Sequence, residues 1–199
     1  MAVLASGVGS NLQALLDDPV VGRKIGLVVS DREDAHALER ARDARVPDVF
    51  LDPKKYGERT DYDRALLELL QAQSITHVVL AGFMRILGPE VVGPYKWRIL
   101  NIHPALLPAF PGSNAVGDAI AWGVKVTGVT VHFVDEEVDH GPIVLQESVP
   151  ILRSDTEWEL RARIQALEHR IYRVAVRALL EDRIEVFGRY VTIDEAGGW

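Results

Sequence analysis

In the first half of the chain, short runs of apolar residues alternate with longer stretches in which apolar positions recur every three or four residues. The short runs predict strands over 3–5, 25–30, 49–51, 77–81 and 99–102. The longer ones predict helices over 11–16, 35–44, 62–72 and 89–92. The strands are apolar at nearly every position, as expected of strands covered on both faces. Strands alternating with helices point to an α/β fold built on a largely parallel sheet. The pattern changes after residue 112. A helix over 115–122 stops at Gly123, a favoured residue just past a helix end. Strands follow over 126–134 and 143–149. In the first, Val129, Val131 and Phe133 alternate with Thr130 and His132. Ser154-Asp155-Thr156-Glu157 matches a capping box and opens the longest helix, 155–180. Its apolar stripe is Leu160, Ile164, Leu167, Ile171, Val174 and Ala178. The tail, 184–193, reads as a hairpin turning near Gly188. With no repeat, low-complexity tract or linker, a single domain over 1–199 is expected.

Composition narrows the class. The chain has 199 residues and a formal charge of −7, with 48% hydrophobic and 26% charged residues. That balance supplies a real core, and a net negative chain without a basic patch is a poor match for nucleic acid. The absence of cysteine removes disulfides, thiolate metal sites and cysteine nucleophiles. No stretch approaches the ~20 apolar residues of a membrane span, and the N-terminus lacks signal-peptide character. A cytoplasmic protein with no membrane partner is expected.

Ligands of open α/β sheets bind outside the carboxyl ends of the strands, and four such places hold candidate chemistry. The first is Ser6-Gly7-Val8-Gly9-Ser10-Asn11-Leu12. Its glycines allow backbone N–H groups to approach an anion. It lacks the third glycine of a dinucleotide fingerprint and the Gly-Lys of a P-loop. A single-phosphate site, a plain capped turn and, through Asp31, a dinucleotide site all remain open. The second is 81–88, Ala-Gly-Phe-Met-Arg-Ile-Leu-Gly. It is either a core-covering loop with a surface arginine or the wall of a pocket for a flat, partly apolar ligand. The third is Asn101-Ile102-His103-Pro104. Residues two apart on a strand point the same way, so Asn101 and His103 share a face. A histidine carries protons near neutral pH and an asparagine amide can donate to an oxyanion; a structural Asn/His pair explains the same residues. The fourth is the acidic stretch 135–142, where Glu136 and Glu137 read as solvated and Asp139, just before Gly141-Pro142, as turned inward. A carboxylate near His103 would raise the histidine pKa and leave a proton donor at neutral pH. His36, His77, His132 and His169 read as structural or exposed. Glu168 borders the buried stripe of the long helix, where it can serve a sugar hydroxyl or a rim salt bridge. The acidic cluster lacks the spacing of a metal site, and none is expected.

These motifs carry a resemblance. Gly9-Ser10-Asn11-Leu12-Gln13, the 81–87 segment, Asn101-Ile102-His103-Pro104 with Leu106-Leu107-Pro108 and Pro111-Gly112, and Val131-His132-Phe133-Val134 followed by Asp139-x-Gly-Pro resemble the phosphoribosylglycinamide formyltransferases, a family of folate-dependent formyltransferases. The resemblance runs in order over nearly the whole chain. It implies an α/β, Rossmann-like doubly wound, mostly parallel sheet with an antiparallel C-terminal portion. It also implies formyl transfer from 10-formyltetrahydrofolate, as co-substrate, to the amine of glycinamide ribonucleotide in purine biosynthesis. By that likeness Asn101, His103 and Asp139 are the catalytic set, with Asn101 also at the formyl group. Gly9, Ser10 and Asn11 bind the phosphate and Glu168 the ribose. Met84, Arg85, Ile86 and Leu87 line the pteridine pocket, and Arg59 serves the folate site. Both substrates are small molecules, no nucleic acid partner or metal is implied, and the protein is a monomer or homodimer. Asn114 and Gly117 stand where the family commonly has a basic or histidine residue. Methionyl-tRNA formyltransferase shares the Asn-x-His core but needs a basic extension. Formyltetrahydrofolate hydrolase resembles a longer chain, and a sugar-nucleotide formyltransferase fits the lone-phosphate loop poorly.

Overall fold

The computed structural model describes residues 1–194. The chain divides into two compact units, 1–100 and 101–199.

The first unit is a parallel sheet. Its strands are β1 (Ala2–Leu4), β2 (Leu27–Ser30), β3 (Asp48–Phe50) and β4 (Val78–Leu80), in the order β3-β2-β1-β4. The register pairs Ala2 with both Leu27 and Val78 and Val28 with Asp48. β1, β2 and β4 are buried at every position, which is why their sequences show no alternation. Between them run α1 (Ser10–Leu16), α2 (His36–Asp43), α3 (Arg59–Ala72) and α4 (Pro89–Val92). β2 and β4 flank β1 on opposite sides, so the strand order reverses at β1. The loops after β1 and β4 leave side by side at this switch point, where open α/β sheets bind ligands. They are tied together: Ser6 N–H donates to the Gly82 carbonyl at 3.1 Å and Met84 N–H to Ser6 Oγ at 2.8 Å.

The second unit opens inside β5 (Ile99–His103). It continues through α5 (Ala115–Trp122), the antiparallel pair β6 (Val126–Phe133) and β7 (Ile143–Pro150), α6 (Glu157–Leu180), and the hairpin β8 (Ile184–Phe187) and β9 (Tyr190–Ile193). Gly188, at φ 63°, makes the hairpin turn. The β6–β7 ladder shifts register between Val131 and His132. α6 packs on β6, β7 and α5, and its buried residues are Leu160, Ile164, Ile171, Tyr172, Ala175, Val176, Ala178 and Leu179. Leu167 and Val174 of the expected stripe are only half-buried. The mostly parallel α/β sheet with an antiparallel C-terminal portion is as expected. Among the described residues no helix is long and apolar enough to cross a membrane.

One boundary is corrected. The capping box of α6 is Thr156 with Glu159, not Ser154 with Glu157. Asp155 is already engaged, accepting from Leu152 N–H and pairing with Arg163. Asp155 thereby belongs to a turn before the helix, Thr156 is extended, and the helix starts at Glu157.

Candidate active site

β5 delivers Asn101 and His103 to one side of the strand, and both reach Asp139. Asn101 Nδ2 lies 3.4 Å from Asp139 Oδ1, and His103 Nδ1 lies 3.4 Å from Asp139 Oδ2. Asp139 enters through a left-handed backbone (φ 52°), an uncommon conformation for a residue with a side chain. Its Oδ2 accepts the Gly112 N–H at 2.7 Å. Phe110, also left-handed at φ 54°, turns its carbonyl onto His103 Nε2 at 2.8 Å. A carbonyl only accepts, so His103 carries hydrogen on Nε2. Pro108 and Pro111 flank that turn, and a cavity of about 430 Å³ beside it is lined by Leu107, Pro108, Pro111, Val138 and Asp139 among others.

His132 joins this set, which its sequence position did not reveal. Its ring is 2% exposed. Nδ1 donates to the Phe133 carbonyl at 2.8 Å, which leaves Nε2 to accept from Asn101 Nδ2 at 3.1 Å. The same ring nitrogen is 3.7 Å from Asp139 Oδ1. These partners fix the Asn101 amide with its nitrogen toward His132 and Asp139. The available signal was a histidine inside a strand whose neighbours are buried on both faces.

Electrostatics corrects one expectation. Burial lowers the His103 pKa below its ordinary value of 6.5. The Asp139 charge and the Phe110 carbonyl pull upward, His132 pulls downward, and the net shift is down. That direction is opposite to the upward shift expected from a nearby carboxylate alone. Burial alone would raise Asp139. Contact with His132, the Gly112 N–H and the charges of His103 and His132 outweigh it and hold the carboxyl below 3.8.

Both shifts make acid destabilising. Below pH 6.5 the unfolded chain protonates this histidine while the folded chain resists, so stability falls with pH until the folded pKa is passed. Asp139 contributes stability above pH 3.8 that is lost as pH falls through its depressed folded value. His169, lowered by burial and Arg173, acts in the same direction as His103. The melting temperature is expected to fall from pH 7 to 5, and more shallowly in His103→Asn. Equal slopes in parent and variant would refute the burial account.

The first unit holds most of the other candidates. Gly9 has φ 72°, and a Cβ there would lie 2.9 Å from both Ala37 Cα and Cβ, so the loop presses against α2 where only glycine fits. Ser10 opens α1 and Asn11 is buried. α2 fastens the loop from one side: Ala37 N–H donates to the Gly7 carbonyl at 3.1 Å and Arg40 Nε to the Val8 carbonyl at 2.9 Å. Trans peptides place N–H opposite C=O, so the amides of Val8 and Gly9 face away from α2. Arg40 was not singled out from the sequence, because its place on α2 gives no local sign of that contact.

The segment after β4 alternates: Phe83 and Leu87 are buried while Met84 and Ile86 are 64% and 51% exposed. Two exposed apolar side chains at a strand end suit an apolar ligand better than bare solvent. Arg85 lies 4.6 Å over the Tyr62 ring. Arg59 is drawn to the same place, with Nε 3.8 Å from Asp63 Oδ2, an oxygen that also accepts the Gly88 N–H at 2.9 Å. Burial raises the Asp63 pKa against the pull of Gly88 and Arg59. Glu168 is half-buried on α6 in the second unit. Asn114 starts α5 and donates to Asp118 at 2.9 Å, and Gly117 sits where a Cβ would meet Asn114 Oδ1 at 2.7 Å.

A model of the formyl transferase family matches residues 1–176. The chain belongs to this family. It is 45% identical over 195 residues to phosphoribosylglycinamide formyltransferase of Mycobacterium tuberculosis, covering 97% of this chain and 90% of that one. It is similar to the crystal structure of glycinamide ribonucleotide transformylase 1 from Symbiobacterium toebii, with TM-score 0.93 and 51% identity over 96% of this chain and 92% of that one. It is also 43% identical over 189 residues to the human trifunctional purine biosynthetic protein adenosine-3, covering 94% of this chain and spanning 19% of that protein. The match to the formyl transferase model crosses the division between the two units.

Proposed function

We propose that the chain transfers the formyl group of 10-formyltetrahydrofolate to the amine of glycinamide ribonucleotide, a step of purine biosynthesis, and that 1–199 acts as one formyltransferase domain. The observation that carries this is the meeting of Asn101, His103 and Asp139 around a single carboxylate. The names of the similar enzymes supply the substrates.

Formyl transfer to an amine needs a proton acceptor for the attacking nitrogen and a donor for the oxygen that gains charge. His103 is the proton carrier: it passes the proton lost by the attacking nitrogen to the departing nitrogen of tetrahydrofolate, and its imidazolium form faces the Asp139 carboxylate. Asn101 Nδ2 is the donor. Its 3.4 Å contact with Asp139 is long for a hydrogen bond and is the one it gives up to the formyl oxygen. The backbone amides of the 7–9 loop, with Ser10 and Asn11, hold the phosphate, and Glu168 the ribose. Met84, Arg85, Ile86 and Leu87 line the pteridine site, served also by Arg59. The exposed Met84 and Ile86 fit a ring that covers them.

The test is one assay with 10-formyltetrahydrofolate and three acceptors: glycinamide ribonucleotide, methionyl-tRNA and water. Formylation of glycinamide ribonucleotide is expected. Transfer only to tRNA or water would overturn the assignment.

A further inference from the structure

Asp139 holds a left-handed backbone at the end of a loop closed by several contacts. Such a conformation is strained for a residue with a side chain and persists only where the surroundings over-determine it. The loop's neck is closed by Phe133 N–H donating to the Pro142 carbonyl at 2.9 Å. Its tip is gathered by Asp135: Oδ1 accepts the Glu137 N–H at 3.1 Å and Oδ2 accepts His140 Nδ1 at 2.7 Å. On the inner side, Gly112 N–H holds the Asp139 carboxylate.

The outer side is held by a residue from far along the chain. Arg189, in the β8–β9 turn, donates Nη2 to the His140 carbonyl at 2.7 Å and approaches His140 Nε2 with Nη1 at 3.3 Å. A guanidinium has no acceptor, so His140 Nε2 accepts from Arg189 while Nδ1–H donates to Asp135. Arg189 thus fixes the backbone carbonyl immediately after Asp139 and, through the ring, the closure of the whole turn. One planar fork makes both contacts, which a lysine cannot reproduce. Arg189 also lines the cavity beside Asp139.

We propose that Arg189 is a positioning residue for the reaction: acting through His140, the C-terminal hairpin holds the Asp139 carboxylate at its angle to His103 and Asn101. The role rests on the formyl transfer proposed above, and its anchoring part is measurable without turnover.

Arg189→Ala is expected to speed backbone amide exchange at residues 138–141 by ~10-fold or more and to lower kcat by ~10-fold, with the KM for both substrates within about threefold. Arg189→Lys should recover part of both. Tyr190→Ala, which removes an exposed side chain of the same hairpin, serves as the control for general loosening and should leave both unchanged. Faster exchange with a kcat loss in Arg189→Ala alone supports the assignment. Exchange and kcat within twofold of the parent overturn it, and so does an equal loss in Tyr190→Ala. If the unaltered chain does not formylate glycinamide ribonucleotide, the function proposed above fails, and the exchange measurement still decides the anchoring.

Discussion

Asp139→Asn is expected to lower turnover by ~10²–10⁴-fold, the range for losing a group that stabilises developing charge, with KM values for both substrates within a few-fold. Three of the four contacts of the carboxylate are with a donor or with a ring that becomes one. Oδ2 accepts from Gly112 N–H and faces His103 Nδ1; Oδ1 accepts from Asn101 Nδ2 and lies near His132 Nε2. An amide has a single acceptor oxygen. If that oxygen keeps the short Gly112 contact, the new NH₂ faces the NH₂ of Asn101; reversed, it faces Gly112 N–H at 2.7 Å, which is worse. In either orientation the imidazolium formed at His103 loses its counter-charge, in a ring whose burial already disfavours protonation. His103→Asn removes the proton carrier itself and should fall in the same range. Because the two groups act as a unit, the double variant should be little worse than either alone. Steady-state rates at saturation with both substrates decide the matter. Turnover of Asp139→Asn within tenfold of the parent would sink the mechanism.

How much of this was legible in the sequence depends on the distance over which each feature is determined. The strands of the first unit were visible because burial on both faces makes them apolar throughout, and their positions agree with expectation to within about two residues. Asn101 and His103 were legible as a same-side pair because a strand's period of two is local geometry. The α6 start was not resolved because Ser154 and Thr156 each have a glutamate three residues on. The choice fell to Asp155, whose commitments to Leu152 and Arg163 no local pattern encodes. The direction of the His103 shift was missed for a related reason. A nearby carboxylate was inferable, but the depth of burial that outweighs it is a property of the packed unit. His132 and Arg40 were missed because they act across a strand pair and between a helix and a loop. By contrast Arg59 and Asp63, four apart on α3, meet as helical spacing predicts, and the Gly88 N–H completes their cluster.

Gly141→Ala should be the most damaging small substitution in the loop that carries Asp139. Gly141 does not occupy the left-handed region; what it lacks is room. A Cβ there would lie 1.9 Å from the Phe133 carbonyl oxygen and 2.8 Å from its carbon. Close carbon–oxygen contacts run to roughly 3.3 Å, so the two backbones must part by more than about 1 Å. That separation pulls on the Phe133 N–H···O=C Pro142 bond, the neck of the loop. Overpacking of this kind costs about 1–3 kcal/mol where side chains yield. Here the obstacle is backbone, and about 3 kcal/mol or more is expected, equivalent to roughly 6–12 °C in melting temperature for a chain of this size. Because Asp139 is two residues away, kcat should fall along with stability, whereas a purely structural fault elsewhere would lower Tm and spare kcat below the melting transition. Gly57→Ala is the matched control: nothing lies within 4 Å of a Cβ at that position. It should shift Tm by no more than a surface change does, within ~0.5 kcal/mol. Thermal melts of the two variants side by side, with kcat measured well below either transition, settle the point. A Gly141→Ala protein as stable and as active as Gly57→Ala would show that the neck of the loop yields freely and does not position the carboxylate.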